Sequence, residues 1–399
     1  MSRTVLLLAA ALLALSAPAR PQQAAPGEAK VDQTPAPAPS TQPARRRGFA
    51  EVEVTRPRHF PHRIWAVCDF EVKLPSFGLF GKEETADIPA YPGNATARRG
   101  AGPYQKVAAL MTGCNPVPGP RMGTSNYMYC RYRIRGGDRA TFQHYSLTRG
   151  DNNHINVTGL TQGKWSELTL NFTRDARRND GSSEAFQKGE RMDDLKVFVG
   201  KPDDGKSWQF VLDDVIFFSV EPGLPPEEEP FPNRVLFLAA FDTGVDPASK
   251  DKFFPGRWEA PKDAPPSSYW GVAAGVAAPE GKGPEVLLQM APPRPAAAHV
   301  KLRFRYWVRD VDRLTVALND ATAELDRTVQ ITPAEQGKWV TRYVDFTKGA
   351  QAATPIQAGN KLCALKICAA ARGERPQLYV DEVVLFEPGP PVKEGKDLP

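Results

Sequence analysis

The chain predicts an all-β protein built from two tandem antiparallel β-sandwich domains, on two observations: a duplication over a long interval and a period-two alternation inside each copy. Arg131-Tyr132-Arg133-Ile134-Arg135, Asp138-Arg139 and Gln162-Gly163-Lys164-Trp165 recur as Arg305-Tyr306-Trp307-Val308-Arg309, Asp312-Arg313 and Gln336-Gly337-Lys338-Trp339, each displaced by 174 residues. Each copy closes on the same kind of strand, Phe210 to Phe218 in the first and Leu378 to Phe386 in the second, with Glu-Pro-Gly shortly after both. Solenoid repeats run about 20 to 50 residues, so whole domains are duplicated here.

A chain of 399 residues suggests two or three domains, and the duplication selects two. From the N-terminus, Met1 to Ala19 predicts a secretory signal: Arg3 supplies the positive start, Val5 to Leu15 the apolar stretch and Ala17-Pro18-Ala19 the small-x-small cleavage site. An uncleaved signal anchor is the alternative. That apolar stretch falls short of the roughly 20 residues a bilayer requires, so a secreted or periplasmic chain without stable membrane insertion is expected. Residues 20–48 are rich in Pro and Ala, end in Arg45-Arg46-Arg47 and predict a disordered linker. The two sandwiches are expected at 49–222 and 233–389, with a Pro/Glu linker at 223–232 and a polar tail at 390–399.

The first copy's leading strand alternates Met128, Cys130, Tyr132 and Ile134 with Tyr129, Arg131, Arg133 and Arg135. In the second copy Val300, Leu302, Phe304, Tyr306 and Val308 alternate with Lys301, Arg303, Arg305, Trp307 and Arg309. Period two marks a strand with one face in a core; the other face here is basic and aromatic. The next strand places Phe142 and His144 inward, matching Val316 and Leu318, and Gln143 and Tyr145 outward. His144 therefore reads as a hydrogen-bonded core histidine. Leu170 and Phe172 match Val344 and Phe346 in the strand after Gly-Lys-Trp. Trp165 and Trp339, at one position of both copies, read as structural.

Five cysteines suit an oxidising compartment, with at least one left unpaired or intermolecular. Cys363 and Cys368, five apart on one strand, face opposite ways and are not expected to bridge. A net charge of +5 is too small to argue for nucleic acid as a partner. His59-x-x-His62 reads as a loop feature. Asp193-Asp194 and Asp203-Asp204-Gly205 read as solvated acids in turns, and no carboxylate pair suited to a hydrolase is identifiable.

Phe70-Glu71 and Phe241-Asp242 near the first strand of each copy, the central Gly-Lys-Trp and the closing apolar-Asp-(Asp/Glu)-Val strand together resemble the jelly-roll carbohydrate-binding modules of the galactose-binding-like group. The resemblance covers about 60–222 and 233–389. It implies a sandwich of eight or more strands, a glycan site on the concave sheet or at the loop rim, and often a structural Ca2+. At the matching positions the ion would lie between Glu71 and Asp213, and between Asp242 and Asp381; acids that cap turns or pair with arginine are the alternative.

For a glycan, aromatic rings pack against the apolar C–H face of a pyranose while polar side chains meet its hydroxyls. The candidate faces carry Tyr129, Arg131, Arg133, Gln143 and Tyr145 in the first copy and Arg303, Arg305, Trp307, Arg309 and Asn319 in the second. Their arginines suit uronic or sulfated polymers, and two copies would raise avidity on a repeating polymer. The expected function is thus an exported, non-enzymatic carbohydrate-binding-like protein whose partner is a polysaccharide or cell-envelope component. A structural or protein-interaction module of the cell envelope, and a glycan-active enzyme, are the alternatives.

Overall fold

The computed structural model describes residues 50–51, 56–71, 98–102, 109–113, 119–179, 186–199, 208–242, 255–265, 270–279, 283–348 and 354–390. The expected signal peptide, the Pro/Ala-rich linker, Cys114, Asp203-Asp204-Gly205 and residues 391–399 of the tail lie outside them.

In chain order the first half contributes β1 (Ala50–Glu51), β2 (Arg63–Cys68), β3 (Arg98–Gly102), β4 (Ala109–Gly113), β5 (Ser125–Arg135), β6 (Ala140–Ser146), β7 (Asp151–Thr158), β8 (Ser166–Asn171), the single-turn helix α1 (Phe172–Asp175), β9 (Arg177–Arg178), β10 (Met192–Val199) and β11 (Trp208–Val220). The second half contributes β12 (Arg234–Ala239), β13 (Gly256–Arg257), β14 (Ala273–Ala274), β15 (Val276–Ala277), β16 (Pro284–Pro295), β17 (Lys301–Arg309), β18 (Val311–Asp320), β19 (Leu325–Ile331), β20 (Val340–Asp345), β21 (Lys361–Ala371) and β22 (Gln377–Glu387).

Sheet order repeats between the halves. In the first, β2-β11-β5-β8 faces β7-β6-β10-β4; in the second, β12-β22-β17-β20 faces β16-β21-β18-β19. Each half is a sandwich of two sheets, antiparallel apart from the short β1–β7 pair, as the alternation predicts, with the jelly-roll connectivity that the resemblance implies. Met128, Cys130, Tyr132, Ile134, Phe142, Leu168 and Leu170 fill the first core. Leu302, Phe304, Tyr306, Val308, Val316, Leu318 and Val344 fill the second. His144 joins the first core, its Nδ1 3.0 Å from the Asp194 carbonyl oxygen and its ring edge-on to Phe172 and Phe217.

The closing strands β11 and β22 are bulged against β5 and β17 at Asp213-Asp214 and Asp381-Glu382. Asp214 and Glu382 take left-handed φ values of 45° and 51° there. A bulge lets two neighbouring residues leave strict alternation, and all four acids become buried. Space rather than conformation fixes one glycine: a Cβ on Gly137 would run into the Trp208 ring.

The sandwiches belong to one compact unit and meet through the same sheet of each copy. A third apolar cluster gathers Ile64, Ile216 and Phe218 from the first copy and their equivalents Val235, Val384 and Phe386 from the second, with Phe60, Tyr127, Tyr129 and Phe231. The order of layers is therefore β7-β6-β10-β4, then β2-β11-β5-β8, then β12-β22-β17-β20, then β16-β21-β18-β19. This corrects the expectation of an open basic-aromatic face at Tyr129, Arg131 and Arg303, which are buried, while Arg309 is exposed.

The Pro/Glu segment between the sandwiches is strapped down. Glu227 accepts from Arg303 at 2.8 Å and from the Tyr343 hydroxyl at 3.1 Å, and Lys301 pairs with Glu229 at 2.8 Å. His59 and His62 hold the same segment: His59 Nδ1 lies 3.0 Å from the Glu227 carbonyl oxygen, and His62 Nε2 lies 2.9 Å from that of Pro225. The His-x-x-His feature is thus a clasp on the linker.

Candidate functional site

The predicted ligand residues lie on β5 and β17 of the inner sheets, where Tyr129, Arg131 and Arg303 are buried, and on two outer sheet faces. Tyr129 is fully buried; its hydroxyl donates to Glu167 at 2.8 Å and its ring lies 4.9 Å from Phe231. Arg131 pairs with Asp214 and donates to the Asn233 side chain at 2.6 Å. Arg303 donates at 2.8 Å to both Glu227 and the His62 carbonyl. These three are unavailable to a polymer. Arg305 lies 3.9 Å from Asp381 and 5.2 Å above the Trp339 ring, which gives that tryptophan a structural partner. Trp307 is buried edge-on to Tyr379, with Arg309 stacked 5.2 Å over it. Arg133, half-buried on β5, belongs to the same sheet. Burial of an unpaired guanidinium is prohibitive, and the two fully buried arginines, Arg131 and Arg303, accordingly meet Asp214 and Glu227, whereas Arg309 stays exposed.

Gln143 and Tyr145 stand elsewhere, on the outer face of the β7-β6-β10 sheet. Antiparallel register lines up Tyr145 with Asn152, Gln143 with His154 and Lys196, and Thr141 with Asn156 and Phe198. Their inward neighbours Phe142, His144, Ile155, Val157, Leu195 and Val197 are buried, while all eight outward residues are half-exposed. Thr141 donates to Asn156 at 2.7 Å and Gln143 to Asn152 at 2.9 Å, which orients the amides. Lys196 pairs with Asp194 at 3.0 Å. Asp194, expected as a solvated acid in a turn, instead lies in β10, and burial raises its pKa. Burial lowers the pKa of His154, so its ring is neutral near pH 7. The face thus offers three rings, three amides, a hydroxyl and an ammonium group.

Sequence reading found two members of this face and missed Thr141, Asn152, His154, Asn156, Lys196 and Phe198. The signal was present in β7, where Asn152, His154 and Asn156 alternate with Asn153, Ile155 and Val157.

Asn319 lies on the corresponding face of the second copy, donating to Asp326 at 2.8 Å. Strands β16, β18, β19 and β21, which form that face, contain no aromatic residue. Cys368 sits on it and donates to the Glu285 carboxylate at 3.5 Å. Cys363 and Cys368 are both free thiols.

The acids expected at a Ca2+ site have other partners among the described residues. Asp242 pairs with Arg63, which also donates from Nε to Glu382 at 3.0 Å. Asp213 accepts the Asp214 N–H at 2.9 Å, and Asp381 the Glu382 N–H at 2.7 Å. Glu71 is half-buried, its own N–H 3.4 Å from Asp69 Oδ1. Among the described residues, no three His, Cys, Asp or Glu side chains converge to hold a metal. Calcium needs six to eight oxygens, and at Asp242 a guanidinium already occupies the anionic centre, which does not suit the ion there. Chelator is accordingly expected to leave the thermal midpoint unchanged; a clear fall in differential scanning fluorimetry with EDTA, reversed by Ca2+, would contradict this.

Among the described residues no helix is long and apolar enough to cross a membrane. What fold and faces define together is a pair of jelly-roll sandwiches, one of which presents an aromatic and amide-rich outer sheet. The sequence matches no family profile and no curated protein. Solved structures similar to it include the N-terminal CBM22-1–CBM22-2 tandem domain of Xyn10C from Paenibacillus barcinonensis, at 14% identity over 82% of this chain and 98% of that one, with a TM-score of 0.29. A carbohydrate-binding module of Cellvibrio mixtus lichenase 5A, in complex with cellotriose, is 12% identical over 39% of this chain and 99% of that one, with a TM-score of 0.25. The tandem CBM51 modules of a family 98 glycoside hydrolase from Streptococcus pneumoniae are 8% identical over 73% of this chain and 84% of that one, with a TM-score of 0.20.

Proposed function

We propose that the chain is an exported, non-catalytic carbohydrate-binding-like protein that holds a polysaccharide on the outer β7-β6-β10 face of its first sandwich. The observation that carries this reading is the register of Tyr145, His154 and Phe198 among Gln143, Asn152 and Asn156. Rings meet the C–H faces of sugars and oriented amides meet their hydroxyls, while solvent access along a sheet suits an extended polymer. The face carries little charge, so neutral polymers are accommodated as well as acidic ones. The aromatic-free outer face of the second sandwich favours a structural role for that copy, as a support in the cell envelope.

Affinity electrophoresis of the full chain through neutral, uronic and sulfated polysaccharides tests this. Tyr145→Ala should weaken retardation roughly tenfold, the equivalent of about 1.4 kcal/mol for one stacked ring, whereas Asn319→Ala should change nothing. If every gel leaves the wild-type chain unretarded, or Tyr145→Ala is retarded like wild type, the face is not a glycan site.

A further inference from the structure

At the rim of the first sandwich, Arg121 and Arg191 form an isolated antiparallel bridge. The flanking backbone bonds run from Met122 N–H to the Glu190 carbonyl at 2.8 Å and from Met192 N–H to the Pro120 carbonyl at 3.0 Å. That pattern makes Arg121 and Arg191 a non-hydrogen-bonded pair, the geometry in which cross-strand side chains come closest. Like charges directly opposite one another destabilise a strand pair.

No carboxylate offsets them among the described residues. Arg191 donates from a terminal nitrogen to the Gly119 carbonyl at 2.6 Å, and Arg121 Nε is buried without a hydrogen-bond partner. The neighbouring acid, Glu190, is committed to Arg149 at 2.9 Å and Arg178 at 3.3 Å. Burial and the proximity of Arg121 lower the pKa of Arg191, in keeping with two cations left facing each other. The pair also touches the β6–β7 turn, since Leu147 N–H donates to the Arg191 carbonyl and Arg191 N–H to the Thr148 hydroxyl. Tyr145 stands at the head of that turn, and Leu147 is one of two large apolar side chains left exposed among the described residues.

We propose that Arg121 and Arg191 form an oxyanion site at the Tyr145 end of the outer face, taking the carboxylate or sulfate group of an acidic polysaccharide. This placement rests on the glycan reading; the anion site itself does not. Two guanidinium forks match the oxygens of either group, and an anion between them removes the repulsion that the fold otherwise carries.

The full chain is compared with Arg121→Gln and with Arg121→Gln/Arg191→Gln, using a neutral glucan, a polyuronate, a sulfated polysaccharide and inorganic sulfate. The double variant should bind acidic polymers about tenfold or more weakly while retaining neutral binding; the uronate and sulfated gels distinguish carboxylate from sulfate. In low salt, Arg121→Gln should melt no lower than wild type, because a repulsion is gone. Sulfate should raise the wild-type midpoint and leave the double variant unmoved. A sulfate response without retardation in any polymer would sink the glycan reading and keep the anion site. Acidic-polymer affinity and sulfate response both unchanged in the double variant would overturn the anion site and leave the glycan reading standing.

Discussion

Arg63→Met is expected to destabilise the folded chain by about 3 to 5 kcal/mol, the range for removing one partner of a buried ion pair. Arg63 is fully buried on β2 of the first sandwich, yet its carboxylate partners, Asp242 and Glu382, belong to the second. Its third bond, 2.7 Å to the Arg121 carbonyl, returns to the first sandwich. Without the guanidinium, two carboxylates and their neighbour Asp381 remain in a dry interface, where burial already raises the pKa of Glu382 and Asp381. Replacing the group together, as Arg63→Met with Asp242→Leu and Glu382→Leu, should recover most of the loss, since apolar groups of similar volume need no partner. Urea denaturation at pH 7 measures both. A loss below about 1 kcal/mol for Arg63→Met, the level of a solvated surface pair, would show that the network is not closed to water.

The second large effect concerns acid. Burial lowers the pKa of His144 to about 3, with Asp194 opposing weakly through its carbonyl. The unfolded chain protonates this imidazole near pH 6.5 and the folded chain does not. Between those values the unfolded state binds the extra proton, so stability falls as pH falls from about 6.5 toward 3, by up to about 1.4 kcal/mol per unit and about 3 to 5 kcal/mol in total. Asp69 acts in the opposite direction: burial raises its pKa to about 6, so its contribution is lost as pH rises from about 4 to 6. Comparing wild type with His144→Leu, the residue type at the equivalent Leu318, isolates the histidine. The variant should lose much less stability between pH 6.5 and 4 in urea titrations. Parallel curves for the two chains would mean that the ring ionises inside the core.

The sequence carried the fold further than the site. Alternation along Met128 to Ile134 and Val300 to Val308 assigned every core-facing residue of β5 and β17, because period two is a local property that burial enforces strand by strand. The opposite face was legible only as polar. Whether Tyr129, Arg131 and Arg303 meet water or another protein layer depends on what docks there, and docking is set by residues as distant as Glu227 and Asn233. The bulges explain a second gap. At Asp213-Asp214 and Asp381-Glu382 the chain departs from alternation, so the acid after each metal candidate, Asp214 and Glu382, turns inward as a partner for Arg131 and Arg63. Conversely, Gln143 and Tyr145 lie on strands whose outer face meets no further described sheet, and there the local pattern was sufficient.

A shared cluster drawn from equivalent positions, Ile64 and Val235, Ile216 and Val384, Phe218 and Phe386, gives the protein the anatomy of an isologous homodimer held in one polypeptide. A free dimer must match every interface residue to itself, and it dissociates on dilution. Joined in one chain, the halves meet at a fixed effective concentration and are released from self-complementarity. Tyr129 in one copy faces its task beside Glu167, while Arg303, its counterpart, reaches Glu227. Covalent linkage thus permits the two halves to differ, and the unfolding midpoint of the protein should not depend on how much of it is in the tube.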